Sequence, residues 1–265
     1  MTIISCIKQV RDLDIVLKDD WFVAEDGRSI NIDYANLIMN TFDETALELM
    51  LRLKDADDEL KSTVVTVGPV STEKLLLKAL ALGVDTAVRI DAAQDLDFRP
   101  RVTAHLLKDA VSGEPDAEIV LCGRQADNGS NGLTGQLLAE MLGWPCYTMV
   151  IDLVKNDAGY KISRLLPDGV EHFTVKPPFV AAVTQTDNKL LRMAGLREIL
   201  EAKKKPIQRL TVDMDKGPWG DYKTKFRSLS IMKSKKNCQY IEENENQSKS
   251  AQLIEIIKDR VEHGK

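Results

Sequence analysis

The residues best equipped for binding chemistry lie in one unbroken segment: Gly123, Arg124, Gln125, Ala126, Asp127, Asn128, Gly129, Ser130, Asn131, Gly132, Leu133, Thr134, Gly135 and Gln136. Glycines let backbone N–H groups approach a phosphate, and Ser130, Asn131 and Thr134 offer side-chain donors. A helix beginning near Leu133 would add the positive end of its dipole. The run just before, Glu118 to Cys122, reads as a strand, and ligands of open α/β sheets gather at the carboxyl ends of strands. This is the chemistry of a nucleotide clamp. A polar loop that only caps a helix has the same composition, so both readings stand on the residues alone. Neither G-x-G-x-x-G nor G-x-x-x-x-G-K-[ST] is present, which leaves a dinucleotide fingerprint and a Walker A loop unsupported.

Other reactive side chains are scattered. His105 falls in a helical pattern, His172 in a strand pattern and His263 near the end of the chain, and no Ser/His/Asp or paired-carboxylate constellation can be built from their spacing. Cys6, Cys122, Cys146 and Cys238 are far apart, with no C-x-x-C pair, which argues against a metal site. No catalytic acid, base or nucleophile is assigned.

The elements that must position the loop follow from periodicity. Strands are expected at Ile3 to Ile7, Thr63 to Val67, Ala87 to Ile90 and Glu118 to Cys122, alternating with helices over Asp43 to Lys54, Glu73 to Leu82, Arg101 to Val111 and Leu133 to Leu142. Such alternation predicts an α/β fold with a mainly parallel sheet flanked by helices. Ser71 is placed to cap the second helix and Gly83 to end it. Asp26-Gly27, between Phe22-Val23-Ala24 and Ser29-Ile30-Asn31, predicts a short hairpin at a sheet edge. After Pro145 four strands are expected as an antiparallel addition: Tyr147 to Leu153, Gly159 to Leu165, Val170 to Val175 and Phe179 to Thr184. Beyond Pro206 the apolar period fades. A domain over 1–205 is therefore expected, followed by a C-terminal arm over 206–265 whose last helix, Ser250 to Val261, has Leu253, Ile254, Ile257 and Val261 on one face. That face calls for burial on a partner subunit or on its own chain.

Composition removes several classes. The chain has 265 residues, 43% hydrophobic and 29% charged, enough for a sizeable core. A net charge of -5 argues against a general nucleic-acid binder, and Lys203-Lys204-Lys205 is too short a basic run to reverse that. No apolar stretch approaches the roughly 18 to 20 residues that span a bilayer, so the chain is not expected to be integral to a membrane. Ile3 to Ile7 does not make a signal segment, and a cytoplasmic location with reduced thiols is the expectation.

Several motifs in order make the reading more specific. Gly123-Arg124-Gln125-Ala126, Thr134-Gly135-Gln136 and Leu142-Gly143-Trp144-Pro145 resemble the signature of the electron-transferring flavoprotein beta subunit family. Ile7-Lys8-Gln9-Val10, Asn40-Thr41-Phe42-Asp43-Glu44, Arg52-Leu53-Lys54, Gly68-Pro69, Ala79 to Asp85, Lys176-Pro177-Pro178 and Ala202 to Lys205 fall in the family's order, so the likeness runs from about residue 3 to 210. It implies an adenine-nucleotide alpha-hydrolase-like fold. It also implies a heterodimer with an alpha subunit that holds the redox-active FAD, while the beta subunit binds AMP or, in the electron-bifurcating branch, a second FAD. By the same resemblance Cys6, Asn40, Thr41, Phe42, Asp43, Val67 and the residues from Gly123 to Gln136 line the nucleotide site. Thr41 stands where the family has Pro, and Asp127-Asn128-Gly129-Ser130 is less acidic than the usual run. Thr184 to Lys205 resembles the family's recognition loop, which implies partner docking through Lys189, Leu190, Leu191 and Arg192, with an acyl-CoA dehydrogenase-type or similar redox partner.

The leading expectation is electron transport by a carrier whose flavin supplies the chemistry and whose protein supplies position and electrostatics. One alternative is an electron-bifurcating subunit with its own FAD oxidising NADH, which would make the chain an enzyme. The other is a stand-alone nucleotide-binding regulatory module resembling universal stress proteins. Thr134-Gly135-Gln136 favours AMP, while Cys122-Gly123-Arg124 before Gln125 also suits the bifurcating branch.

Overall fold

The computed structural model describes residues 1–27, 29–92, 96–185, 190–213, 217, 227–231, 240–241 and 246–263. They fall into two compact units, Met1–Ser228 and Leu229–Lys265. In the first, the chain runs β1 (Thr2–Cys6), β2 (Gln9–Arg11), β3 (Leu37–Met39), α1 (Thr41–Ala56), β4 (Lys61–Gly68), α2 (Glu73–Ala81), β5 (Thr86–Asp91), α3 (Pro100–Ser112), β6 (Ala117–Gly123) and α4 (Thr134–Leu142). It continues through β7 (Cys146–Asn156), β8 (Gly159–Leu166), β9 (Gly169–Val175), β10 (Phe179–Val183), α5 (Leu196–Ala202) and β11 (Ile207–Thr211).

Among the described residues nine strands form one sheet in the order β11-β5-β4-β1-β6-β10-β7-β8-β9, and β2 and β3 make a separate antiparallel ribbon. β1 is parallel to both β4 and β6, so the order reverses beside it, and that reversal opens a crevice at the strands' carboxyl ends. The central strands are buried on both faces, which is why they read as continuous β-branched runs rather than as alternating ones. Ile3, Val64, Ile119 and Leu121 turn to α1 and α2; Ile4, Val65, Val120 and Cys122 turn to α3 and α4. Two apolar layers therefore sandwich the sheet.

Three findings differ from the expectations. Phe179–Val183 does not belong to the antiparallel addition: β10 lies parallel to β6 on one side and to β7 on the other, wholly buried in the middle of the sheet. The antiparallel part is β7-β8-β9 alone. Ser71 does not cap α2. A 3-10 turn over Val70–Thr72 precedes that helix, and the Ser71 hydroxyl donates instead to Gln9 Oε1 at 3.0 Å. Ile207–Thr211, in the stretch where the apolar period fades, is an edge strand parallel to β5, and after the half-buried Ile207 its residues are exposed. The Asp26-Gly27 turn closes on a single bridge, Val23 to Ile30, with Gly27 at a φ of 65°.

In the second unit α6 (Asn246–His263) leaves Leu253, Ile254, Ile257 and Val261 exposed. Among the described residues no helix is long and apolar enough to cross a membrane.

Candidate functional site

A cavity of about 410 Å³ sits where the sheet order reverses, floored by Cys6 at the end of β1, Val67 near the end of β4 and Cys122 and Gly123 at the end of β6. Its volume falls toward the lower end of small-molecule sites. Of the residues expected from sequence, Cys6, Asn40, Asp43, Val67, Gly123, Arg124, Gln125, Ala126, Asn128, Asn131, Gly132, Leu133 and Thr134 line it. Thr41, Phe42, Asp127, Gly129, Ser130, Gly135 and Gln136 do not, and several of these act from behind the wall.

The start of α1 builds that wall. Asn40 occupies the N-cap position, yet its side chain caps nothing. Its amide instead donates to the Gln125 carbonyl at 2.8 Å and accepts the Asp127 N–H at 3.2 Å, so one side chain replaces the missing backbone partners of the loop. Asp43, one turn along, is 5% exposed and accepts the Lys8 N–H through one oxygen and the Gly123 N–H through the other, both at 2.8 Å. The ends of β1 and β6 are thus clamped to the same helix. Burial pushes the Asp43 carboxyl up to about 7, outweighing the bonds from Lys8, Gly123 and Asn40 and the Lys8 charge, which favour the ionised form.

Glycine is required where this clamp closes. A Cβ on Gly123 would come 2.3 Å from Asp43 Oδ1 and 2.7 Å from Phe42 Cβ, and one on Gly135 would come 2.6 Å from Cys122 Sγ. The loop then turns through left-handed conformations at Gly129, Ser130 and Gly132 (φ 87°, 42° and 61°). Ser130 is held there by its N–H and hydroxyl, both donating to the Ala126 carbonyl. α4 follows directly, and its N-cap Leu133 offers no side-chain bond. The first-turn N–H groups of α4 therefore have no intrahelical acceptor, an arrangement suited to an anion.

Among the described residues, two side chains that line the cavity carry buried polar atoms with no hydrogen-bond partner, Arg124 Nε and Asn128 Oδ1. Arg124 lies over the Phe42 ring, 5.1 Å from its centroid, and reaches Met149 Sδ at 3.4 Å. Its charge faces an aromatic and a sulfur, leaving capacity for an anion. The thiols offer little chemistry: burial, and then the Asp43 charge, push Cys6 up to about 12, and burial also raises Cys122, so both stay protonated and pack as small apolar groups.

One wall was not foreseen. Leu96, Asp97, Phe98 and Arg99, between β5 and α3, also line the cavity. Asp97 bridges Lys8 Nζ at 2.7 Å and Asn128 Nδ2 at 3.0 Å. No local motif marks this segment, because its partners lie 89 and 31 residues away. Its one visible signal is an aromatic flanked by charges just before the Pro100 that starts a helix.

The expected docking residues separate. Lys189 lies outside the described residues. Leu190 is 73% exposed, whereas Leu191 packs against the core. Arg192 is an anchor rather than a free cation: its backbone N–H and guanidinium bond the buried Glu48 carboxylate, and its Nη1 pairs with Asp55 at 2.7 Å. Met193 and Leu196 take the exposed apolar positions instead.

The electron transfer flavoprotein domain model matches residues 29–215. The chain is 31% identical to the electron transfer flavoprotein subunit beta of Bradyrhizobium diazoefficiens, over 80% of this chain and 82% of that protein. It is 32% identical to the mitochondrial beta subunit of Arabidopsis thaliana over the same shares, and 30% identical to the beta subunit of Bacillus subtilis over 91% and 93%. The chain belongs to the electron transfer flavoprotein beta subunit family.

Proposed function

We propose that this chain is the nucleotide-holding and docking half of a heterodimeric electron-transferring flavoprotein, with AMP in the cavity beside β1 and an alpha subunit as its partner. The observation that carries the reading is the polar set around one small cavity: an uncapped helix start at Thr134, close-packed glycines, the unpartnered donor Arg124 Nε and the unpartnered acceptor Asn128 Oδ1. In this reading the α4 N–H groups and Arg124 take the phosphate, and Asn40 and Asp43 hold the loop in the shape that binds it. FAD, held mainly by the alpha subunit, supplies the electron-carrying chemistry. Leu190, Met193 and Leu196 form the apolar surface that meets a redox partner of the acyl-CoA dehydrogenase type, and Arg192 fixes that segment to α1.

The cavity volume favours a mononucleotide. A second reading, an electron-bifurcating subunit with its own FAD, draws on Arg124 beside the cavity. Both are tested by purifying the chain together with an alpha subunit from the same genome and quantifying AMP and FAD after acid release. One of each supports the carrier, and two FAD support bifurcation. A chain that binds nucleotide but forms no heterodimer would point to a stand-alone module.

A further inference from the structure

We propose that Phe98 is the stacking surface for the base of the bound nucleotide, so that the segment between β5 and α3 chooses ligands by their aromatic ring while the Gly123–Thr134 loop holds their phosphate. The inference rests on the nucleotide reading above and adds to it the residue that recognises the base. Phe98 adopts a φ of 62°, in the left-handed region that bulky residues rarely enter and that tends to persist where function over-determines it. Its side chain packs in neither apolar layer, although Leu96, two residues earlier, does. The residue is 57% exposed, and it lines the cavity.

The ring lies beside the phosphate-side loop: a Cβ on Gly129 would meet Phe98 Cε1 at 3.4 Å, a contact distance. Asp97, immediately before, is held by Lys8 and Asn128, which ties the segment to the end of β1 and to the phosphate-side loop. Phe98 thus has a backbone tied to the site, a ring beside a glycine and more than half its surface uncovered next to a cavity, and among the described residues no ring or cation stacks on it. Bases stack on aromatic faces, and the gain does not depend on hydrogen-bond matching.

The test compares AMP with ribose 5-phosphate, which keeps the phosphate and sugar but lacks the base, by calorimetry on the nucleotide-stripped full chain. Phe98→Ala and Phe98→Leu are expected to weaken AMP about ten-fold or more, on the scale of base–aromatic stacking, and to leave ribose 5-phosphate unchanged. Phe98→Trp is expected to retain AMP, with emission quenched by AMP and not by ribose 5-phosphate. Thermal midpoints of the variants check that the fold is intact. Equal weakening of both ligands would overturn the proposal and leave Phe98 as a prop for the Gly129 loop. Unchanged AMP affinity in Phe98→Ala would overturn it as well. Failure of the unaltered chain to bind AMP would instead bring down the nucleotide reading, and this inference with it.

Discussion

Two regions hang from the same helix and are held in opposite ways. At its start, α1 fixes the cavity loops through Asn40 and Asp43, which make four bonds to backbone N–H or C=O groups in a buried setting. Further along, α1 fixes the 190–202 segment by charge, with Glu48 and Asp55 gripping Arg192 while Leu190, Met193 and Leu196 stay uncovered. Backbone clamps set a shape to fractions of an ångström, which the proposed phosphate site needs. A charged anchor beside a few apolar contacts, Leu191, Ala194 and Ala202 among them, holds a segment in place and leaves its other apolar side chains free to meet another surface.

The contrast is broken most severely by Gly123→Ala. The new methyl cannot coexist with Asp43 and Phe42, and a loss of about 3 kcal/mol is expected in urea unfolding, along with nucleotide binding. Asp43→Asn comes next. One of the two N–H groups would then face an amide N–H, and an unsatisfied buried donor costs about 1 to 3 kcal/mol. The same variant tests the sign of a pH effect. Below the ordinary carboxyl value of 3.8 Asp43 is protonated both folded and unfolded; as pH rises toward about 7 only the unfolded chain ionises. This group's contribution to stability is therefore lost between roughly pH 4 and 7, and the variant is expected to flatten that part of the profile.

Arg192→Ala is expected to cost less, about 1 kcal/mol, because Arg52 still pairs with Glu48 and the lost partner is partly solvated. Its pH dependence runs the other way. Burial pushes Glu48 up, but its bonds to Arg192 and Arg52 outweigh burial and hold it below its ordinary value of 4.5. That stability is present above pH 4.5 and lost on acidification, more steeply in the unaltered chain than in the variant. The smallest effect on stability is expected for Met193→Ser, within about 0.5 kcal/mol, since the residue is 95% exposed. Binding to a redox partner should nonetheless fall, and a change confined to binding would separate the two regions cleanly.

The cavity loop was legible because its chemistry is local: glycines, donors and a helix start follow one another in the chain. The βα order was legible from periodicity for the same reason. What sequence hid is long-range. Asn40 stands at the N-cap of α1, yet its side chain serves a loop 85 residues away. Arg192 is expected to dock a partner, and only the fold shows it bound to Glu48, 144 residues away. Phe98 enters the site only because Asp97 finds Lys8 and Asn128. Strand order is hidden as well: the β-branched pattern of Phe179–Val183 fits any strand, and nothing local says that it lies between β6 and β7.

That insertion bears on how the chain reaches its fold. The central slot of the sheet is filled by a segment that follows a three-stranded excursion, so β6 and β7 have no common partner until Val183 has been made. Up to then two buried-type edges stand open, the condition that invites pairing with another chain. Completion of the sheet becomes a late, non-local event, and such events are slow. A chain truncated before Phe179 should aggregate where one ending after Thr211 stays dispersed.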